Sequence, residues 1–297
     1  MRNQRRGPGI AWLAVTVVFL LAGCGSSSEP GAGPGEIAGG GGAIKAARPG
    51  VAGITFTEVL IDVMQHDLDS FDGWRPNDLL YGKIFDNCTN EELGHLAVLR
   101  ESVEILKEDI ARRGALDDFV PDLVKAQEAF DSDPYKWWRP SAGSRMQEGV
   151  TALKSYRDQL IQGEAGFFPR PDNLAHLLDH DVTLLGDLHK RLVGRVGFFK
   201  TDNEFYYSRG AAAGMARLYA AMERDFAPEI QARGLEKLME EARASLELAA
   251  KMHPWIVLDG GDDSFRANHR LNMAAHLAEA RTKSFLVLEA LKQPPPQ

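Results

Sequence analysis

The chain has 297 residues, 44% of them hydrophobic, and a formal net charge of −8, enough material for one large core or two small ones. Its 42 acidic side chains outnumber 34 basic ones, which argues against nucleic acid as a partner by the counterion-release argument. Two cysteines are too few to staple the chain, so stability must come from packing.

Residues 1–23 read as a signal peptide. Arg2, Arg5 and Arg6 precede an apolar run from Ile10 to Ala22 that ends in Leu21-Ala22-Gly23-Cys24, the pattern of a bacterial lipoprotein signal. The run is too short to span a bilayer, which takes about 20 residues as a helix. The Cys24 thiol is the atom expected to carry acyl chains such as palmitate, and several chains on one cysteine anchor stably. Removing residues 1–23 takes away three of the 34 basic side chains and none of the 42 acidic ones, so the mature chain carries about −11. With Cys24 committed to lipid, Cys88 has no partner, and a buried apolar thiol without a disulfide is expected.

Residues 24–50 are rich in Gly, Ser, Ala and Pro, with an unbroken Gly39–Gly42 run, and cannot bury enough apolar surface to fold. The 26 residues after Cys24 are expected to form a tether with a root-mean-square span of about 28 Å and a stretched limit of about 90 Å. Residues 51–292 form an all-helical domain, and 293–297 a Pro-rich tail.

The first helix is expected near Phe56–Leu68. Thr89 and Glu92 read as a capping box, opening a helix over Asn90–Arg113. Its Leu96, Leu99, Val103, Leu106 and Ile110 recur at spacings of three and four. Further helices are expected over Leu116–Phe130, over Ser141–Gln162 with Gly163 as its stop, and after an Asp172 cap through Leu192. Asn203–Glu223, Pro228–Lys251 and Arg266–Lys292 complete an all-α bundle of about seven helices. The small-residue run Gly210–Gly214 offers a smooth face for close helix packing. Arg209, Arg217 and Glu223 make that segment soluble, so packing inside the domain is the first reading and homo-oligomerisation the second.

Gly73-Trp74-Arg75-Pro76-Asn77-Asp78-Leu79-Leu80, then Phe85-Asp86-Asn87, Trp138-Arg139-Pro140-Ser141-Ala142, Tyr156-Arg157-Asp158 and Asp172-Asn173-Leu174 follow one another with helices between. In that succession the chain resembles the uncharacterised bacterial family known as domain of unknown function 2333, over most of residues 60–290. The resemblance implies an envelope protein with one N-terminal membrane segment and an extracytoplasmic helical body. This chain departs by having a lipobox where a spanning helix is expected. No activity, and so no catalytic residue, is carried over.

His176 and His180 lie four apart and Asp187 about two turns further on, a column that can clip a metal ion if a third ligand joins. Asp181 falls on the apolar stripe with Leu174 and Leu188, so an arginine partner or a functional acid is implied. Glu92-Leu93-Gly94-His95 matches half of a di-iron motif, without the second copy that such a centre needs. His269, Asn272 and His276 read as the solvated face of the last helix. Asp259–Ser264 has the oxygen density of a calcium loop but not its ligand spacing. Trp74, Arg75, Trp137, Trp138, Arg139 and Trp255 lie at helix boundaries beside prolines. They are the candidate binding loops, since rigid aromatic faces beside guanidinium groups suit sugars, peptides or proteins.

The expectation is a lipid-anchored extracytoplasmic binding or scaffolding protein of the cell envelope, without cofactor, partnered by the membrane through its lipid and by an envelope protein or glycan. Gly25 lacks the aspartate that commonly retains lipoproteins in the inner membrane, so the outer membrane facing the periplasm is favoured. The alternative is a metal-assisted envelope enzyme built on His176 and His180.

Overall fold

Apolar residues spaced three and four apart become helices throughout the body. A computed structural model of the chain describes residues 51–70, 73–77, 86–114, 117–194, 201–254 and 268–294. Cys24 and the tether, Trp255, the 259–264 turn and the end of the Pro-rich tail lie outside the described residues. Nine α-helices and no strand occur among the described residues: α1 (Ile54–Leu68), α2 (Asp86–Ile105), α3 (Pro121–Phe130), α4 (Ala142–Gln162), α5 (Pro171–Val193), α6 (Thr201–Asp225), α7 (Ala227–Ala232), α8 (Glu236–Ala250) and α9 (His269–Leu291).

Several boundaries correct the sequence reading. α2 already includes Thr89 and Glu92, so they are not its capping box, and the Glu92 carboxylate is used elsewhere. α2 ends in a single π turn, Leu106–Ile110, a local widening that marks departures from regular helix. α3 begins at Pro121, which occupies its first turn, where a missing N–H costs nothing. α5 likewise starts at Pro171 after Arg170, which places Asp172 inside the first turn, where its charge faces the helix dipole. The helix expected over Pro228–Lys251 is two, because Gly234 at φ 63° takes the left-handed conformation that ends a helix. Ser141 caps α4, its Oγ accepting from Ser144 N–H, and Gly163 stops it at φ 76°, both as the sequence predicts.

The centre of the fold is α6. Sixteen of its 25 residues are buried, and it packs against α1, α2, α5 and α8. α9 lies along α5 and α8, α3 lies on α4, and α4 lies on α1. One continuous apolar core joins Phe56, Leu99, Tyr156, Leu185, Tyr219 and Leu277, each from a different helix.

The small residues explain why α6 can sit at the centre. A Cβ added to Gly210 would lie 2.1 Å from the Glu91 carbonyl oxygen, and one added to Gly94 would lie 2.2 Å from the Tyr207 carbonyl oxygen. The backbones of α2 and α6 therefore touch, with a glycine on each side of the contact. The small-residue face is spent inside the domain rather than on a second copy. Cys88, in the first turn of α2, is buried as expected.

Overpacking such a contact costs about 1–3 kcal/mol and occasionally more. Gly94→Ala and Gly210→Ala should each lower the free energy of urea unfolding by at least that range. Gly214→Ala, whose methyl would meet Val98 side-chain atoms at an ordinary 3.5 to 3.6 Å, should be neutral or gain up to about 1 kcal/mol from helix propensity. Equal effects at all three positions would contradict the backbone contact.

Candidate functional site

Between α1 and α2 the chain makes a short strap, Gly73–Asn77, ending in the 3-10 turn Arg75–Asn77. Trp74 is buried, and its Nε1–H donates to the Pro134 carbonyl at 2.9 Å. Asn77 Nδ2 donates to the Lys136 carbonyl at 3.3 Å, and Ala142 N–H donates to that same carbonyl at 2.7 Å. The strap thus fastens the α3–α4 loop from below. On the other side of that loop, Tyr135, Trp137 and Trp138 are 56%, 58% and 55% exposed. The two indole rings meet edge to face, 5.9 Å apart at 84°, and the Lys136 ammonium stands 5.7 Å from the Trp138 ring centre. Arg139 is exposed beside them.

The six candidate binding residues therefore divide. Trp74 and Arg75 are structural, Trp137, Trp138 and Arg139 form an exposed aromatic and cationic loop, and Trp255 lies outside the described residues. A large aromatic beside proline signals either role in sequence, and only the packing around it distinguishes them.

Arg75 closes the strap onto α2. Its Nη1 donates to Glu92 Oε1 at 2.6 Å, and its backbone N–H donates to Oε2 at 2.9 Å. Burial, with the Asp67 carboxylate adding to it, pushes the Glu92 carboxyl up to about 9, while Arg75 pulls the other way. Three residues along α2, His95 Nδ1 lies 2.9 and 3.1 Å from the two Asp67 oxygens. Burial alone would lower this imidazole, but Asp67 and Glu91 outweigh it and hold it above its ordinary range. Glu91 accepts from Arg209 Nη2 at 2.7 Å, and Arg209 Nη1 stands 3.1 Å from His253 Nδ1. Burial and the guanidinium lower His253, leaving Nδ1 to accept. These groups form a buried polar seam along α1, α2 and α6, each engaged by another, as structural ion pairs are. Sequence reasoning gave Glu92 to a cap. The Glu92-x-x-His95 spacing was the available signal that both turn the same way.

The metal column does not assemble. His176 Nδ1 lies 3.1 Å from Asp109 Oδ2 and His180 Nδ1 lies 3.8 Å from Glu101 Oε2, all four side chains being substantially exposed. Asp187 is exposed and accepts from Lys190 at 2.9 Å. Each histidine faces its own acid across α2, and no group of three His, Cys, Asp or Glu residues suited to a metal occurs among the described residues.

Asp181 is buried as expected, at 8% exposure, yet its neighbour is a hydroxyl, not an arginine. Tyr219 and Ser284 share a 2.7 Å hydrogen bond that either hydroxyl can donate, and the Tyr219 hydroxyl near Asp181 favours the ionised acid but is outweighed. Burial first, and the Glu101 charge second, raise Asp181 to about 8. The outcome is a neutral buried acid rather than an ion pair.

Between about pH 4 and 8 the folded state therefore keeps a proton that the unfolded carboxyl has released, so stability falls as pH rises through that window. The slope from one proton is at most about 1.4 kcal/mol per pH unit. Asp181→Asn should remove this component, gaining on the wild type steadily from pH 5 to pH 8 in urea-unfolding midpoints. Parallel pH profiles for the two proteins would show that Asp181 is ionised in the fold.

The sequence model of the family described as an uncharacterized protein conserved in bacteria (DUF2333) matches residues 4–200 and 194–293. No curated protein and no solved structure matches the chain.

Proposed function

This chain belongs to the uncharacterized bacterial family DUF2333, and from that premise we propose that it is a lipid-anchored extracytoplasmic protein that binds or scaffolds in the cell envelope. The observation that carries the reading is the α3–α4 loop. Two tryptophans and a tyrosine are left exposed on a loop whose backbone is fastened by Trp74 and Asn77. Exposed aromatic clusters of this kind mark interaction surfaces. The buried titratable groups of the seam are meanwhile spent on one another. No helix among the described residues is long and apolar enough to cross a membrane; the attachment proposed is the Leu21–Cys24 signal. The residue after Cys24 is glycine, which favours the outer membrane facing the periplasm.

Protein extracted from native membranes should yield an N-terminal peptide that begins at Cys24 and carries acyl chains. Mild crosslinking of the same membranes should join the α3–α4 loop to an envelope component. An uncleaved N-terminus or an unacylated Cys24 would contradict the anchor, and a loop that captures nothing would contradict the binding role.

A further inference from the structure

We propose that the Tyr135–Arg139 loop docks on the bilayer that carries the anchor, its two tryptophans seated among the lipid headgroups. This rests on the lipid-anchor reading above and deepens it. Trp and Tyr concentrate at membrane–water interfaces because each has an apolar body and a polar tip. Tyr135, Trp137 and Trp138 are all exposed within four residues, and Lys136 and Arg139 beside them suit headgroup phosphates.

The geometry favours lipid over glycan. A sugar stacks on a ring face that is left open, whereas the Trp138 face carries Lys136 at 5.7 Å and the indoles stand edge to face at 84°. Wedged rings with a cation on top suit insertion between headgroups better than stacking. The loop is also set in advance, by Trp74 on the Pro134 carbonyl and by Asn77 and the Ala142 N–H on the Lys136 carbonyl. Little ordering is then lost on contact. Asp133 accepts from Tyr135 N–H at 3.0 Å and keeps its charge. Asp131 and Asp133 equal Lys136 and Arg139 in number, so the contact should depend on the aromatic rings rather than on anionic lipid.

The length of chain before the body supplies the occupant. A lipid on Cys24 would join the body to one bilayer through the 26 residues Gly25–Gly50, at an effective concentration of about millimolar for a Gly-rich linker of that length. A contact too weak to recruit a free protein is populated under those conditions. A body carrying net negative charge has no other reason to lie against a membrane, so the loop decides which face turns toward it.

The test is tryptophan quenching in the mature lipidated protein reconstituted into phosphatidylethanolamine and phosphatidylglycerol vesicles with brominated acyl chains. The protein should float with the vesicles, and bromolipid should quench a substantial part of its emission. That quenching should vanish in Trp137→Phe/Trp138→Phe, which keeps Trp74 and Trp255 and retains ring volume if folding is sensitive there. Flotation without quenching, or quenching that persists in the double variant, overturns the docking and leaves the anchor reading standing. A protein that does not float overturns both. A loop that is unquenched but crosslinks to an envelope protein reassigns the aromatic surface to that partner and likewise overturns the docking.

Discussion

The contact between the backbones of α2 and α6 is the constraint on which the other arrangements depend. With Gly94 and Gly210 facing carbonyl oxygens at distances no side chain allows, the two axes come as close as helices can. That approach places Glu91 against Arg209 and turns the face bearing Glu92 and His95 toward the strap and α1. Arg75 is then drawn onto Glu92, Trp74 follows it into the core, and the loop beyond is fastened. A surface feature at the end of the bundle is thus fixed by two hydrogen atoms at its centre.

Charge inside this domain is handled in two ways. Along the seam, acids and bases are buried together, and the removal of any one would strand its partner. At Asp181 no base is supplied, and the neighbouring hydroxyls of Tyr219 and Ser284 bond to each other. The first arrangement ties three helices together in one register, whereas the second closes α5, α6 and α9 around a group that is polar without being charged. Neither leaves a reactive group facing open solvent, which fits a body whose exposed feature is aromatic.

Local signals were legible in the sequence and long-range ones were not. The Leu96 to Ile110 spacing, the Ser141 cap and the Gly163 stop are properties of neighbouring residues, and each was readable. The all-helical class followed from the same periodicity, and the Gly210–Gly214 run was rightly assigned to packing within the domain. Glu92 was misread because its partner is Arg75, 17 positions away, while a threonine three positions away offered a plausible cap. Trp74 and Trp138 look alike in sequence, each beside an arginine and a proline, and only the fold sends one inward. The His176 and His180 column was sound as helix geometry, but α2 supplies a separate acid to each imidazole instead of one shared ligand. Gly234 was passed over because apolar periodicity resumes directly after it.

A pedestal built on the α2–α6 contact presents one exposed aromatic loop. Amide hydrogen exchange of the lipidated protein, in detergent and again in native-like membranes, tests that directly. Amides around Gly94 and Gly210 should be the slowest in both, and those of residues 134–142 should slow only on the membrane. Fast exchange at the glycine contact, or a loop indifferent to the membrane, would contradict it.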